Sequence, residues 1–437
     1  MSKINIANQV ILLKENENNP KAFFKQLEAI FRDKTLESVF EEYIKNKKID
    51  IFEMAYKAIK EDWDIFSICS ILEKLAKYSI YQLDSLKLLF FQINELMKND
   101  MALVKQYWIT AEIVKQDSGF GESFLSSLLE NGENWSFGHA STIYVILFEK
   151  NQEEIFDKLI ELLNSNKINH QIIAVQAIGK IDCNHFNQKQ FEIIYDNLEK
   201  LQHLNHIDLD IEIIHALKFL IKCLPKFQRM IVEYSKYNNE NIQFQLSHLL
   251  FMVCKENSNE KWFVDVLFTL TNTSSKFVGI INNLRMIFNL LLEDEKKIDI
   301  VIDFILAWLG NSNISDNKKE LDEFAKFILP KFPGKLVTLG LNHDNYKINK
   351  VMQIFIMHDT VLDVNIMMDF NEDDYIYVLR RIIGHVIGFE EQIQLIFSML
   401  KVNTLSDNIQ NNIEYVIINY IYKDYPIDTI DYLKKIS

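Results

Sequence analysis

Cysteine, proline and glycine are all scarce in this chain of 437 residues, at 4, 5 and 11 copies. The four cysteines, Cys69, Cys183, Cys223 and Cys254, are scattered, which excludes a disulfide-dense secreted scaffold. Their aliphatic neighbours point to reduced thiols packed in a core. With so few helix breakers, nothing interrupts long helices. No stretch approaches the roughly 18 consecutive apolar residues of a membrane span. The opening residues Met1 to Asn8 carry no secretory signal, so the expected location is the cytoplasm with no membrane partner. Positive charge is also short: 47 Lys and Arg stand against 61 Asp and Glu, a formal net charge of -14. That deficit argues against a broad surface that coats nucleic acid, although a local basic patch depends on the distribution of charge and not on its sum.

What is present is apolar material, at 48% hydrophobic and 12% aromatic residues, which supports a large core and excludes disorder. Phe23, Phe24, Leu27, Ile30 and Phe31 recur at helical spacing after the start signal Asn18-Asn19-Pro20. Leu36, Val39, Phe40, Tyr43 and Ile44 repeat the pattern on the next segment. Similar faces continue to the C-terminal residues, which predicts an all-α protein built from helix pairs. Four of the 11 glycines, Gly119, Gly121, Gly132 and Gly138, fall between Asp117 and His139. They predict a connection there. The expected organisation is an N-terminal helical region at 1–116, a Gly-containing connection at 117–139, central repeats at 140–310 and a C-terminal helical region at 311–437. The polar stretch from Asn311 to Lys319 opens the last of these.

Three segments carry a family resemblance. Ile172-Ile173-Ala174-Val175-Gln176-Ala177-Ile178-Gly179-Lys180-Ile181 is a small-residue aliphatic helix, in which Ala174, Ala177 and Ile178 can approach a neighbour and Gly179 permits close passage. Ile211-Glu212-Ile213-Ile214-His215-Ala216-Leu217-Lys218-Phe219-Leu220 is a degenerate second example, and Val378 to Gly388 is a third. Gly179 and Leu220 lie about 41 positions apart, within the roughly 40 to 47-residue period of HEAT and armadillo repeats. The chain resembles HEAT-like (armadillo-type) helical repeat proteins, but it lacks the regularly placed proline and the repeating Asp and Arg pair of better-formed HEAT repeats. The resemblance implies an irregular HEAT-like right-handed α-α superhelix, or solenoid, whose stacked hairpins display an extended binding surface.

Candidate chemistry is sparse. His203, His206, Asp208 and Asp210, with His215 beyond them, form the densest metal-capable set, because residues three apart share a helical face. Asp208 or Asp210 equally suits a cap on the following helix. His358, Asp359 and Asp363 form a second polar group, in which paired carboxylates could divide acid and base roles. Trp135-Ser136-Phe137-Gly138-His139 combines an aromatic wedge, a flexible residue and a proton-transfer group. It reads either as a binding loop or as a cover over the end of a neighbouring repeat, and it lacks the acid of a nucleophilic triad. Lys45-Asn46-Lys47-Lys48 and Arg380-Arg381 are the basic features. No Walker A loop, dinucleotide fingerprint, HExxH motif or CxxC pair occurs, so no cofactor is expected.

The function expected from these features is a non-enzymatic protein-interaction scaffold or regulatory subunit, with Trp135, Phe137, His139, Arg380 and Arg381 as binding residues and no catalytic residue. The acidic balance favours a partly basic protein partner. Two alternatives stand beside it: a nucleic-acid-associated repeat protein, in bacterial defence or DNA repair, and a metal-dependent enzyme using His203, His206, Asp208 and Asp210.

Overall fold

The computed structural model describes residues 3–45, 48–97, 103–274, 276–311, 318–344 and 346–436. Among them every regular element is helical and no strand occurs, as the apolar periodicity predicts. The chain forms two compact units, Met1–Phe227 and Gln228–Ser437. The point of division falls inside the span 140–310 that was expected to be one central region.

In the first unit the helices are α1 (Lys3–Glu15), α2 (Pro20–Arg32), α3 (Leu36–Ile44), α4 (Ile51–Lys60), α5 (Ile65–Leu75), α6 (Leu83–Leu96) and α7 (Leu103–Gln116). They continue as α8 (Ser118–Asn131), α9 (Asn134–Lys150), α10 (Gln152–Leu163), α11 (Ile168–Lys180), α12 (Gln188–Gln202) and α13 (Ile207–Leu220). Local chemistry sets where they begin. Asn19 stands at the N-cap of α2 and accepts the Ala22 N–H, with Pro20 in the first turn, where its missing N–H is not needed. Phe23, Phe24, Leu27 and Ile30 on this helix are buried. Burial of that kind contributes about 1.5–3 kcal/mol per side chain relative to exposure. Asp50 caps α4 by accepting the Phe52 and Glu53 N–H groups, and Asn187 with Gln190 forms a capping box on α12.

The stretch 117–139, expected as a connection, is almost wholly helical. Asp117 caps α8 by accepting the Phe120 N–H, and Gly132, with φ of 70°, ends that helix in the left-handed conformation. Gly119 and Gly121 sit near the start of α8, and Gly138 sits inside α9, so only Gly132 of the four works as a breaker. The connection between α8 and α9 shrinks to Gly132 and Glu133.

Packing in this unit alternates. Helices α1, α3, α5, α7, α9, α11 and α13 each lie against the next member of that series, while α2 packs on α4, α4 on α6, and α10 on α12. The two series meet through sequential pairs such as α9 with α10 and α12 with α13. Chemical contacts repeat with the same step. Lys77 Nζ donates to Glu37 at a separation of 40 residues, Lys180 Nζ to Ser141 at 39, and Asn169 Nδ2 to the Gly132 carbonyl at 37.

The second unit begins within α14 (Lys226–Tyr234). It contains α15 (Glu240–Asn257), α16 (Lys261–Thr269), α17 (Val278–Leu291), α18 (Ile298–Asn311), α19 (Lys318–Ile328), α20 (Lys335–Asn342) and α21 (Tyr346–Ile356). It ends with α22 (Val364–Met367), α23 (Glu372–His385), α24 (Phe389–Met399), α25 (Asp407–Val416), α26 (Tyr422–Asp424) and α27 (Pro426–Ile436). Here α15 packs on α17, α16 on α18, α21 on α23 and α23 on α25. Bonds again join residues one step apart: Asn283 to Ser247 at 36, Lys297 to Ser258 at 39, and the fully buried Trp308 indole N–H to the Thr273 carbonyl at 35. The polar connection expected between Asn311 and Lys319 falls mainly on 312–317, outside the described residues.

A glycine lets the α11 and α13 backbones approach closely. A Cβ placed on Gly179 of α11 would lie 2.9 Å from the Ala216 Cα and 2.9 Å from its Cβ, on α13. A side chain at 179 would therefore have to push the two backbones apart. We expect Gly179→Val to cost about 1–3 kcal/mol, the usual penalty of overpacking. Urea unfolding followed by far-ultraviolet circular dichroism checks this. An unchanged midpoint would mean that α11 stands clear of α13.

Candidate functional site

A cleft of about 310 Å³ opens along the row of α7, α9, α11 and α13. Tyr107 comes from α7, Asn134 and Gly138 from α9, and Gln176, Gly179 and Lys180 from α11. Helix α13 supplies Glu212, His215, Lys218 and Phe219. Glu212, His215 and Phe219 share one face through their three- and four-residue spacing. Two glycines shape the walls. Gly179 lets α11 and α13 close up, and Gly138 leaves the space that the Tyr107 ring fills, since a Cβ there would fall 2.3 Å from that ring.

The polar groups of the cleft form a network. The Lys180 ammonium donates to Ser141 Oγ at 2.7 Å and lies 5.4 Å from the Tyr107 ring centroid. Ser141 in turn bonds the Gly138 carbonyl at 3.0 Å. His215 Nδ1 lies 3.4 Å from the Glu212 carboxylate. Lys180 is open to solvent along the cleft, yet desolvation by the surrounding protein pushes its ammonium down to about 8, with Glu212 opposing that shift. Desolvation also lowers Lys218, again against the attraction of Glu212. For Glu212, desolvation acts to raise the carboxyl. The hydrogen bonds and charges of His215, Gln176 and Lys180 outweigh it and hold the group below the usual range. A serine bonded to a lysine of lowered pKa resembles a nucleophilic pair, but Ser141 is fully buried inside α9, and its hydroxyl is not presented to the cleft.

A second cleft of about 340 Å³ lies between α3, α5 and α7, with Trp108 half exposed beside it. Two of its lysines are paired: Lys77 with Glu37 at 2.7 Å and Lys115 with Glu112 at 3.0 Å.

The residues singled out from sequence are placed as follows. Trp135, Phe137 and His139 lie on α9 and are buried, so they form no loop, and their rings pack inside the first unit. The second reading of that segment, aromatic rings covering neighbouring helices, describes their surroundings better. Trp135 and Phe91 meet edge to face at 6.4 Å. His139 is fully buried: its ring stacks on Phe90 at 4.2 Å and meets Tyr107 edge-on at 5.0 Å. Arg380 and Arg381 belong to α23 in the other unit. Arg380 is exposed, whereas Arg381 lies over the Tyr377 ring at 4.4 Å and bonds its hydroxyl, which itself donates to Asp344. Of the N-terminal basic run, Lys45 pairs with Glu42, and Asn46 and Lys47 lie outside the described residues.

His203 ends α12, His206 precedes α13, and Asp208 and Asp210 occupy the first turn of α13, where their charge favours the helix dipole. Among the described residues no group of three or more His, Cys, Asp or Glu side chains is arranged to hold a metal ion. The reading of these four as a metal centre therefore finds no support in the geometry. His358 pairs with Asp322, Asp359 accepts the Gly334 and Val361 N–H groups, and Asp363 caps α22. All four cysteines are free thiols, and among the described residues no helix is long and apolar enough to cross a membrane.

Sequence reasoning passed over Tyr107, Lys180, Glu212 and Lys218, although three of these stand inside the segments that carry the repeat resemblance. The signal was there: Glu212, His215 and Lys218 interrupt an otherwise aliphatic helix, and Lys180 ends the preceding one.

The buried His139 makes this unit sensitive to acid. Burial, with a smaller push from Lys180, lowers its imidazole from 6.5 to about 3, and its only hydrogen bond joins Nδ1 to Thr110 Oγ1 at 2.7 Å. Between those two values the unfolded chain takes a proton that the folded chain refuses, so this stabilisation is complete above 6.5 and is lost as pH falls. Between pH 7 and pH 5 the wild type should lose about 2 kcal/mol more than His139→Phe, whose ring suits the same aromatic neighbours. Denaturant midpoints at the two pH values measure the difference, and parallel pH curves would contradict the assignment.

No protein-family model matches the chain, and no curated protein matches it. Among solved structures it is similar to the crystal structure of an engineered protein, at 13% identity and a TM-score of 0.28, with 93% of this chain and 100% of that one covered. A likeness so loose carries no argument about function.

Proposed function

We propose that the protein is a non-enzymatic interaction scaffold or regulatory subunit, and that its helices form an irregular HEAT-like superhelix. The observation that carries this reading is the ordered row α3, α5, α7, α9, α11 and α13, in which each helix lies against the next. The recurrence of cross-helix bonds at separations of 35 to 40 residues in both units supports the repeat assignment. A repeat array buries its apolar faces between neighbours and leaves a long surface for a partner.

Two features of that surface favour a protein partner. Phe66, Trp108 and Phe219, on α5, α7 and α13, are half exposed, and large aromatic side chains are the usual anchors of protein interfaces. The lysines of the row are interleaved with carboxylates, as in Lys77 with Glu37 and Lys115 with Glu112, and do not form the unbroken stripe that a phosphate backbone requires. The net charge of -14 suits a partner whose remaining surface is basic.

Affinity capture from the native cell, with and without nuclease treatment, tests the proposal. We expect one saturable protein partner that survives nuclease. Trp108→Ala and Phe219→Ala should each weaken its binding about tenfold while leaving the circular dichroism unchanged. Complete loss of capture after nuclease would overturn the protein reading in favour of nucleic acid.

A further inference from the structure

Several lysines of the first unit are held in ion pairs. Lys57, Lys77, Lys115, Lys158 and Lys226 each meet a glutamate in an ion pair. Lys180 and Lys218, at the α11–α13 cleft, do not. Among the described residues Lys180 bonds only Ser141, and neither lysine has a carboxylate partner at ion-pair distance. Among the described residues the one carboxylate lining the cleft, Glu212, is engaged by His215 and Gln176. The cleft therefore holds two cations against one anion, in a chain that is otherwise strongly acidic.

We propose that this cleft is a binding site for a singly charged carboxylate, taken between Lys180 and Lys218 and carried on a stem that rests against Tyr107 and Phe219. Three observations select this chemistry. The imbalance is a single positive charge, which one carboxylate neutralises. The Glu212 wall would repel the second charge of a phosphate, and among the described residues no arginine lines the cleft to clamp one. The volume of about 310 Å³ sits at the small end of ligand pockets, which suits a side chain or a small organic acid. An anion would also relieve the cost that desolvation imposes on both ammonium groups, raising pKa values that the surrounding protein depresses.

The carboxylate has two sources: an acidic side chain of a protein partner, or a free organic acid. In the first case this inference rests on the scaffold reading and names what the partner inserts, a local acidic contact on a partner that is basic elsewhere.

Trace acetylation of the full-length protein near pH 8, quantified lysine by lysine by mass spectrometry, reads the site directly. The probes are the capped peptide acetyl-Ala-Glu-Phe-amide, sodium acetate and inorganic phosphate. We expect the peptide to slow acetylation of Lys180 and Lys218 several-fold while the paired lysines keep their rates. Calorimetry should show its affinity falling about tenfold in Lys180→Gln and in Lys218→Gln. Protection by the peptide and not by acetate supports a partner side chain. Equal protection by both supports a free acid, and the site then stands even if the capture experiment above finds no protein. Protection by phosphate at least as strong as by the peptide would overturn the carboxylate assignment. Unchanged rates with all three probes would overturn the site itself.

Discussion

The distance between α11 and α13 governs the first unit's surface, and a missing side chain sets that distance. Because Gly179 has no Cβ, the Ala216 backbone can approach within ordinary contact of α11. This brings Lys180 on one helix close enough to Glu212 on the other for their charges to interact. The glycine at 138 has a related effect one helix earlier, where it admits the Tyr107 ring between α7 and α9. Glycine inside a helix costs roughly 0.5–1 kcal/mol relative to alanine, and close packing recovers that cost only where a neighbour fills the space. Both positions meet that condition.

The lysines along this row of helices differ in their surroundings. Lys77 and Lys115 have glutamate partners, Glu37 and Glu112, and each such pair adds little stability in high dielectric. At α11 and α13 two lysines lack such partners, and the protein around them makes their charged forms less favourable than in water. A fold does not gain stability from that arrangement, and the proposed carboxylate would offset its cost.

His139 shows how misleading a chemically active residue type can be. Its neighbours in sequence, Trp135 and Phe137, suggest an exposed recognition loop, but all three side chains turn into the core of the unit. Stacked on Phe90 and bonded to Thr110, the imidazole stays neutral and packs as an aromatic ring. Its effect is on the acid stability of the unit.

Helix identity was legible in the sequence because it depends on local periodicity: Phe23, Phe24, Leu27 and Ile30 are spaced to bury one face whatever lies opposite. Phe31, read from the same pattern, lies at the edge of that face and stays partly exposed, since the width of a buried stripe is set by the neighbour and not by the helix. The glycines between Asp117 and His139 were legible only as breakers. Whether a glycine breaks a helix or serves as a packing contact depends on what fills its missing Cβ, here Val114 at Gly121 and Tyr107 at Gly138. By itself, then, the sequence determined an all-helical chain, its acidic balance and helix starts such as that of α2 after Asn19, through spacing and capping that act over a few residues. Only the tertiary structure decided that Lys180, Glu212 and Lys218 share one cleft while His139 does not reach it, because that depends on how closely helices some 40 positions apart are allowed to approach.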